Sequence, residues 1–169
     1  FKKGGGVSIL IAPHILYANV NLPAKYSSLE IIAIDVYISK FDIIRLVCFY
    51  RPPDYNLASD TLLEDCICYL TATTQKIFIV GDLNLPKQVF SDIPNHVITK
   101  GFIKNSLEQL VKFSTSKKKR NTLDVFITNA TNLVHNITSQ EPLGTSDHSS
   151  IEISLTLNLK KQNPNEILR

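Results

Sequence analysis

Asp82 and Asn84 follow a run of four apolar residues, Ile77 to Val80, and stand two positions apart. Such a run is typical of a strand buried on both faces, and Gly81 lets the backbone turn where that strand ends. Extended geometry would place both polar side chains on the same side of the chain. A carboxylate beside a carboxamide can bind a hard cation or accept a proton from water, although an ordinary turn uses the same residue types.

Other polar residues stand at the ends of predicted strands. Tyr50 ends one strand, whereas Asp124 and the pair Asp147 and His148 stand at or just before the starts of two others. If these strands run antiparallel to the first group, all of the side chains reach one rim of the sheet. A rim that combines carboxylates, an amide, a phenol and an imidazole is a candidate site for a metal ion and a phosphate.

The elements that must position these residues are mostly strands. Period-two alternation and short apolar runs predict strands over 7–11, 31–38, 43–49, 77–80, 123–128, 133–138 and 151–159. The second and third of these are close enough in sequence to form a hairpin. Many strands with few helices indicate sheets packed on each other with helices outside, which is an α+β fold class.

Two helices are predicted from capping boxes. Thr61 and Glu64 form the first box, and an apolar stripe extends that helix over residues 60–73. Ser106 and Gln109 form the second box, ahead of a short apolar stripe.

The composition is that of one globular domain. The chain has 169 residues, of which 44% are hydrophobic and 20% charged. We predict a single domain over residues 1–159 and a tail or linker over 160–169. No apolar run approaches the length of a membrane span, which argues against a membrane protein. Three cysteines within apolar patterns indicate buried thiols in a reducing compartment.

One basic run stands out in a chain whose net charge is only +3. It consists of Lys117, Lys118, Lys119 and Arg120, so the rest of the chain is slightly acidic. Any basic footprint is therefore local. The run could contact a DNA backbone, act as a nuclear address, or simply be a solvated loop.

Four segments in order resemble a known family. They are 49–53 (FYRPP), 81–84 (GDLN), 122–129 (TLDVFITN) and 144–149 (GTSDHS). Together they resemble the endonuclease/exonuclease/phosphatase superfamily, and within it the endonuclease domain of non-LTR (LINE-type) retrotransposons. The likeness covers nearly the whole chain.

The resemblance implies a fold, an activity and partners. The fold would be a four-layer α/β/β/α sandwich of the DNase-I-like kind, here lacking its first strands. The activity would be Mg²⁺-dependent phosphodiester hydrolysis that nicks DNA, with Mn²⁺ as a possible substitute. The parental polyprotein would carry a reverse transcriptase, and the protein would be intracellular and act in the nucleus.

The resemblance also implies roles for six residues: Asp82, Asn84, His148, Asp147, Tyr50 and Asp124. Asp82 would orient and deprotonate the attacking water, and Asn84 would hold the water or the phosphate. His148 would contact the scissile phosphate, with Asp147 as its partner or as a metal ligand. The Tyr50 phenol would donate a hydrogen bond to a phosphate oxygen, and Asp124 would support the site.

One departure from the family affects the expected activity. The family carries an Asn and a metal-binding Glu on strands ahead of the segment that Gly4 to Ile11 resembles, and the chain begins after them. We therefore assign no glutamate as a metal ligand and expect little nuclease activity from this polypeptide. Two alternatives stay open: a phosphomonoesterase or an inositol or lipid phosphodiesterase of the same superfamily, and a non-catalytic remnant with affinity for nucleic acid.

Overall fold

The computed structural model describes residues 6–85, 95–116 and 121–157. In chain order its elements are β1 (Tyr17–Asn19), β2 (Glu30–Ser39), β3 (Asp42–Tyr50), α1 (Leu57–Ala72), β4 (Ile77–Asp82), α2 (Val97–Lys104), β5 (Glu108–Gln109), β6 (Asp124–Thr128), β7 (Val134–Gln140) and β8 (Ser150–Leu155). Single 3-10 turns precede β2 and β7.

The larger sheet has six strands in the order β1-β2-β3-β4-β6-β5, and β7 and β8 form a separate pair. The predicted hairpin between β2 and β3 is confirmed, with Ser39 paired to Asp42 at its closed end. Helix α1 connects β3 to β4, which run parallel, and β6 runs antiparallel to β4. The ends of β3 and β4 and the start of β6 therefore meet at one rim of the sheet.

Each face of the larger sheet buries its own apolar cluster. One face packs against the two helices, through Ile31, Ala33, Val47, Phe49, Ile77, Ile79, Val125 and Ile127 on the strands and Leu63, Cys66, Ile67, Leu70, Ile98 and Phe102 on the helices. The other face packs against β7 and β8, with Phe78 and Phe126 at its centre and their ring centroids 5.5 Å apart. Helices, large sheet and small sheet make three layers, and the α+β class is confirmed. The described residues contain no further α-helix, so the fourth layer is not among them.

Helix α1 starts earlier than its predicted capping box. Asn56 is the N-cap, and its side-chain oxygen accepts a hydrogen bond from the Ser59 backbone N–H at 3.0 Å. Thr61 lies inside the helix instead, where its hydroxyl donates to the Leu57 carbonyl. The predicted apolar stripe is nevertheless the buried face.

The second helix was predicted in the wrong place. Residues Glu108 and Gln109 form β5, which pairs with β6, and helix α2 lies just upstream with His96 as its N-cap. The Gln109 side chain explains the difference, because its amide donates to the Val111 carbonyl and accepts from the Val111 backbone N–H. A side chain that closes such a local turn competes with helical hydrogen bonding.

Residues 7–11 were predicted as a strand but pair with no neighbour among the described residues. In this segment Val7, Ile9 and Ile11 are half-buried and Leu10 is 97% exposed. Strand β8 also ends earlier than predicted, at Leu155. The three cysteines are free thiols, but only Cys66 is buried as predicted, whereas Cys48 and Cys68 are half-buried. No helix in the described part of the chain is long and apolar enough to cross a membrane.

Candidate active site

Three polar residues stand in line across the rim of the larger sheet. Tyr50 on β3 is paired directly with Asp82 on β4, which is paired with Asp124 on β6. Directly paired residues point to the same face of a sheet. Phe78 and Phe126 share the parity of the two aspartates and lie on the face that packs against the smaller sheet. The row therefore faces the space between the two sheets.

His148 joins this row from the loop between β7 and β8. Its Nδ1 lies 2.8 Å from Asp124 Oδ2, and both side chains are half-buried. Because a carboxylate can only accept, Nδ1 carries the hydrogen and Nε2 is the ring atom that can meet a substrate. The backbone of His148 forms an isolated antiparallel bridge with Ser116 and donates to the Ser146 hydroxyl.

The carboxylate of Asp82 is held by Asn84. The Asn84 backbone N–H donates to Asp82 Oδ1 at 2.9 Å, and the Asn84 side-chain amide donates to Oδ2 at 3.0 Å. Asn84 has a φ of 49°, in the left-handed region that asparagine tolerates better than most residues. The sequence therefore encodes a tight turn at this point, and the turn orients the acid.

The electrostatics of Asp82 suit a proton acceptor. Burial raises the pKa of its carboxyl above the ordinary value, and the neighbouring Asp124 raises that pKa further. The hydrogen bonds from Asn84 and the proximity of His148 oppose the rise. A carboxylate whose pKa lies nearer neutrality is a stronger base toward water.

Tyr50 is a hydrogen-bond donor in this setting. Burial raises the pKa of its phenol, and the negative charges of Asp82, Glu30 and Asp54 raise that pKa further. The phenol therefore keeps its proton at neutral pH. This argues against a tyrosine nucleophile and for a donor to an anionic oxygen.

Thr115 connects the two halves of the site, and sequence reasoning missed it. The residue is fully buried, and its hydroxyl accepts hydrogen bonds from the backbone N–H groups of Leu123 and Asp124 at 2.9 and 3.0 Å. Its own carbonyl accepts from the Ser149 backbone N–H at 2.8 Å. One threonine thus fixes the start of β6 and the residue after His148.

We expect Thr115→Val to destabilise the fold by about 2–6 kcal/mol, because two backbone N–H groups lose their acceptor and each costs about 1–3 kcal/mol. Urea denaturation measures the change. Thr61→Val is the matched control, since that exposed hydroxyl lies on α1. Equal losses in the two variants would contradict this role of Thr115.

Two further acidic residues neighbour the site, one along the chain and one across the sheet. Asp147 is half-buried beside His148 along the chain but is not among the residues whose ligand atoms come together. Glu30, to which the sequence assigned no role, starts β2 directly opposite Tyr50 and extends the row by one strand. The basic run Lys117, Lys118, Lys119 and Arg120 lies outside the described residues.

Asp82, Asp124 and His148 can each offer one ligand atom, and these atoms all lie within 4.8 Å of one another. Two carboxylate oxygens suit Mg²⁺ or Mn²⁺, and a cation between them would offset the charge repulsion that raises the Asp82 pKa. The donor set therefore fits a divalent metal ion. His148 can offer Nε2 to such an ion while its Nδ1 keeps the hydrogen bond to Asp124.

An open groove of about 480 Å³ lies against the row. Tyr50, Asp82 and Asp124 line it at the polar side, and Cys48, Val80, Ile151 and Ile153 are among its apolar lining. The site is therefore accessible from the space between the sheets.

Comparison with protein families gives one match. A family model described as "Endonuclease-reverse transcriptase" matches residues 44–152, which include the row and His148. No curated protein matches the chain.

Several solved structures share the fold. The endonuclease domain of TRAS1, a telomere-specific non-LTR retrotransposon, is similar with a TM-score of 0.68 and 15% identity, over 88% of this chain and 72% of that chain. The 3′ phosphatase NExo from Neisseria, bound to product DNA hairpin, gives a TM-score of 0.59 and 10% identity, over 86% and 72%. An endonuclease/exonuclease/phosphatase family protein from Leptotrichia buccalis gives 0.51 and 17%, over 75% and 53%.

Proposed function

Because the chain belongs to the endonuclease-reverse transcriptase family of the endonuclease/exonuclease/phosphatase superfamily, we propose that it forms the DNA-nicking site of a retrotransposon endonuclease. The observation that carries the proposal is the row of Tyr50, Asp82 and Asp124, completed by His148. A base, a phenol donor and an oriented imidazole at one rim are the groups that phosphodiester hydrolysis needs.

Each side chain has its own proposed role in phosphodiester hydrolysis. Asp82, oriented by Asn84, accepts the proton of the attacking water. His148, held at Nδ1 by Asp124, presents Nε2 to the scissile phosphate, and the phenol of Tyr50 donates to one of its oxygens. Asp147 stays a proposed ligand of the metal ion.

The proposed metal ion is Mg²⁺, with Mn²⁺ as a substitute. Asp82 and Asp124 would hold it, and it would supply positive charge to the phosphate and the leaving oxygen. Glutamate is not in the three-residue donor group, and Mg²⁺ bound by few protein oxygens is held weakly. We therefore propose that this polypeptide alone nicks DNA poorly and that a longer parental chain with the family's Asn and Glu strands is active.

The partners that we propose follow from the family assignment. The substrate is DNA, the parental polyprotein includes a reverse transcriptase, and the action is intracellular and nuclear. The run Lys117–Arg120 is proposed to contact the phosphate backbone, which would make binding depend on salt.

A phosphomonoesterase is the second candidate. The NExo structure is named as a 3′ phosphatase, and its fold is similar to that of this chain. The same base, phenol and imidazole could act on a terminal phosphate or on an inositol phosphate.

A substrate panel tests the proposal. Supercoiled plasmid and phosphorylated inositols are incubated with the chain in Mg²⁺, in Mn²⁺ and in EDTA, with Asp82→Ala as the blank. We expect slow, metal-dependent formation of open-circular plasmid, and faster nicking by the longer parental chain.

Other outcomes point elsewhere. Rapid nicking by this polypeptide that Asp82→Ala abolishes would contradict the proposed impairment. Faster release of phosphate from inositol phosphates would favour the phosphatase. If the parental chain hydrolyses neither substrate, the domain is a non-catalytic remnant.

A further inference from the structure

Two arginines with buried guanidinium groups form ion pairs near opposite ends of β3, Arg51 with Asp60 on α1 and Arg45 with Asp35 on β2. At the rim, Arg51 Nε and Nη2 donate to Asp60 Oδ1 and Oδ2 at 2.7 and 2.9 Å. At the far end, Arg45 Nε and Nη2 donate to Asp35 at 2.8 and 2.9 Å, and Arg45 Nη1 donates to the Leu70 carbonyl of α1. The pairs have the same fork geometry, but only the first is next to the candidate active site.

The backbone of Arg51 contacts both ends of the Asp82 turn. Its N–H donates to the Asp82 carbonyl at 2.9 Å, and its carbonyl accepts from the Asn84 side-chain amide at 3.0 Å. That same amide nitrogen donates to Asp82 Oδ2. The Arg51 carbonyl therefore sets the direction of the amide that holds the carboxylate.

The charged partner of Arg51 is itself fixed. Asp60 lies on α1 with a side chain only 5% exposed, and its Oδ2 is 3.3 Å from His96 Nε2. His96 Nδ1 accepts the Ile98 backbone N–H as the cap of α2, so Nε2 carries the hydrogen and faces the Asp60 carboxylate. Asp60 lies on α1 and His96 caps α2, so both helices fix the carboxylate that binds the Arg51 guanidinium.

We propose that Arg51 is a positioning residue of the active site, held by Asp60 and acting on Asp82 through Asn84; the inference rests on the proposed function of that site. A buried ion pair gives little net stability, since desolvation offsets the attraction. What the two-point fork does provide is a fixed geometry. Here that geometry determines where Asp82 meets water and metal ion.

The test replaces Arg51 with Lys, which keeps the charge and removes the fork. Two quantities are measured on the isotope-labelled chain: the NMR shift of the Asn84 side-chain amide and the affinity for Mn²⁺. We expect the amide signal to move and Mn²⁺ affinity to fall by about 10-fold or more, as when outer partners of metal ligands are lost.

Arg45→Lys is the matched control, because it breaks the equivalent pair at the far end of β3. Both variants should lower the thermal midpoint, but Arg45→Lys should leave the Asn84 signal and the Mn²⁺ affinity unchanged. If the two variants alter these quantities equally, Arg51 has only a structural role and the inference is overturned.

Asp60→Asn provides a second route if Arg51→Lys does not fold, since it weakens the pair from the other partner. It should also move the Asn84 signal, and an unmoved signal in a folded Asp60→Asn chain overturns the inference. The amide signal does not depend on catalysis. A failure of the proposed nuclease would appear as absent hydrolysis by the parental chain, while the Arg51 effect on Asn84 would persist.

Discussion

Asp82→Asn is expected to abolish phosphodiester hydrolysis while making the fold more stable. The hydrolysis rate should fall by about 10²–10⁴-fold, the range that general-base catalysis contributes. Stability should rise because burial and the adjacent Asp124 disfavour the charged form of Asp82, and the uncharged amide avoids that penalty, which outweighs the loss of one hydrogen bond from Asn84. A site that opposes its own folding is common where function requires buried charge.

The stability gain of Asp82→Asn should depend on pH, and the raised pKa of Asp82 gives the direction of that dependence. Because the pKa of Asp82 is raised in the folded state, the folded chain binds its proton more readily than the unfolded chain. The penalty is therefore present above the raised pKa and disappears as the pH falls toward about 4, near the pKa of an unperturbed aspartate. Thermal unfolding at neutral and acid pH should show the advantage of Asp82→Asn shrinking with acid.

Asp65→Asn is the control with the opposite sign. The side-chain hydrogen bonds from Lys25 and then Tyr26 lower the pKa of Asp65, and the residue lies outside the site. Its amide variant should leave stability unchanged or lower it, with no effect on hydrolysis. If Asp82→Asn lowers the midpoint at neutral pH as well, Asp82 is not destabilised in the way that its surroundings indicate.

The part of the site that could be predicted from the sequence depends on strand direction. Tyr50 and Asp82 end their strands and Asp124 begins one, so parallel pairing of β3 with β4 and antiparallel pairing of β6 with β4 bring all three to one rim. The pairing of His148 with Asp124, where the sequence had offered Asp147 as the partner, could not be predicted, because it depends on the backbone bridge between His148 and Ser116.

The supporting residues could not be predicted because their contacts leave no periodic signal. Thr115 acts through a hydroxyl that meets backbone N–H groups eight and nine positions away. Arg51 reads as part of a strand end, and Asp60 as an acidic residue in the first turn of a helix. Only the packing of α1 on β3 shows that the two are one buried pair.

The role of Gly81 could not be predicted either. The sequence predicts a turn at this glycine, whereas the structure shows a close approach of two strands. Gly81 lies within β4, paired with Phe49 on β3 and with Val125 on β6. A Cβ atom at Gly81 would lie 2.0 Å from the Phe49 carbonyl oxygen and 2.9 Å from the Phe49 carbonyl carbon. Backbone atoms cannot rotate away as a flexible side chain does, so the glycine permits the close approach of two central strands.

Gly81→Ala should therefore be among the most damaging single substitutions in the chain. The methyl group must push β3 and β4 apart in the middle of a six-stranded sheet, and we expect a loss of more than about 4 kcal/mol. That is a large share of the roughly 5–15 kcal/mol that stabilises an ordinary domain. Urea denaturation measures the loss, and circular dichroism shows whether any folded chain remains.

Gly144→Ala separates steric collision from backbone strain. Gly144 has a φ of 60° but nothing within 4 Å of an added Cβ, so alanine there should cost only about 1–2 kcal/mol. Similar losses at the two glycines would contradict the collision at Gly81. If Gly81→Ala keeps a folded fraction, its Mn²⁺ affinity should also fall, because moving β4 away from β3 breaks the hydrogen bonds between Arg51 and the turn that orients Asp82. The glycine that permits the close contact of the two strands thus also sets the spacing of Tyr50 and Asp82 in the row.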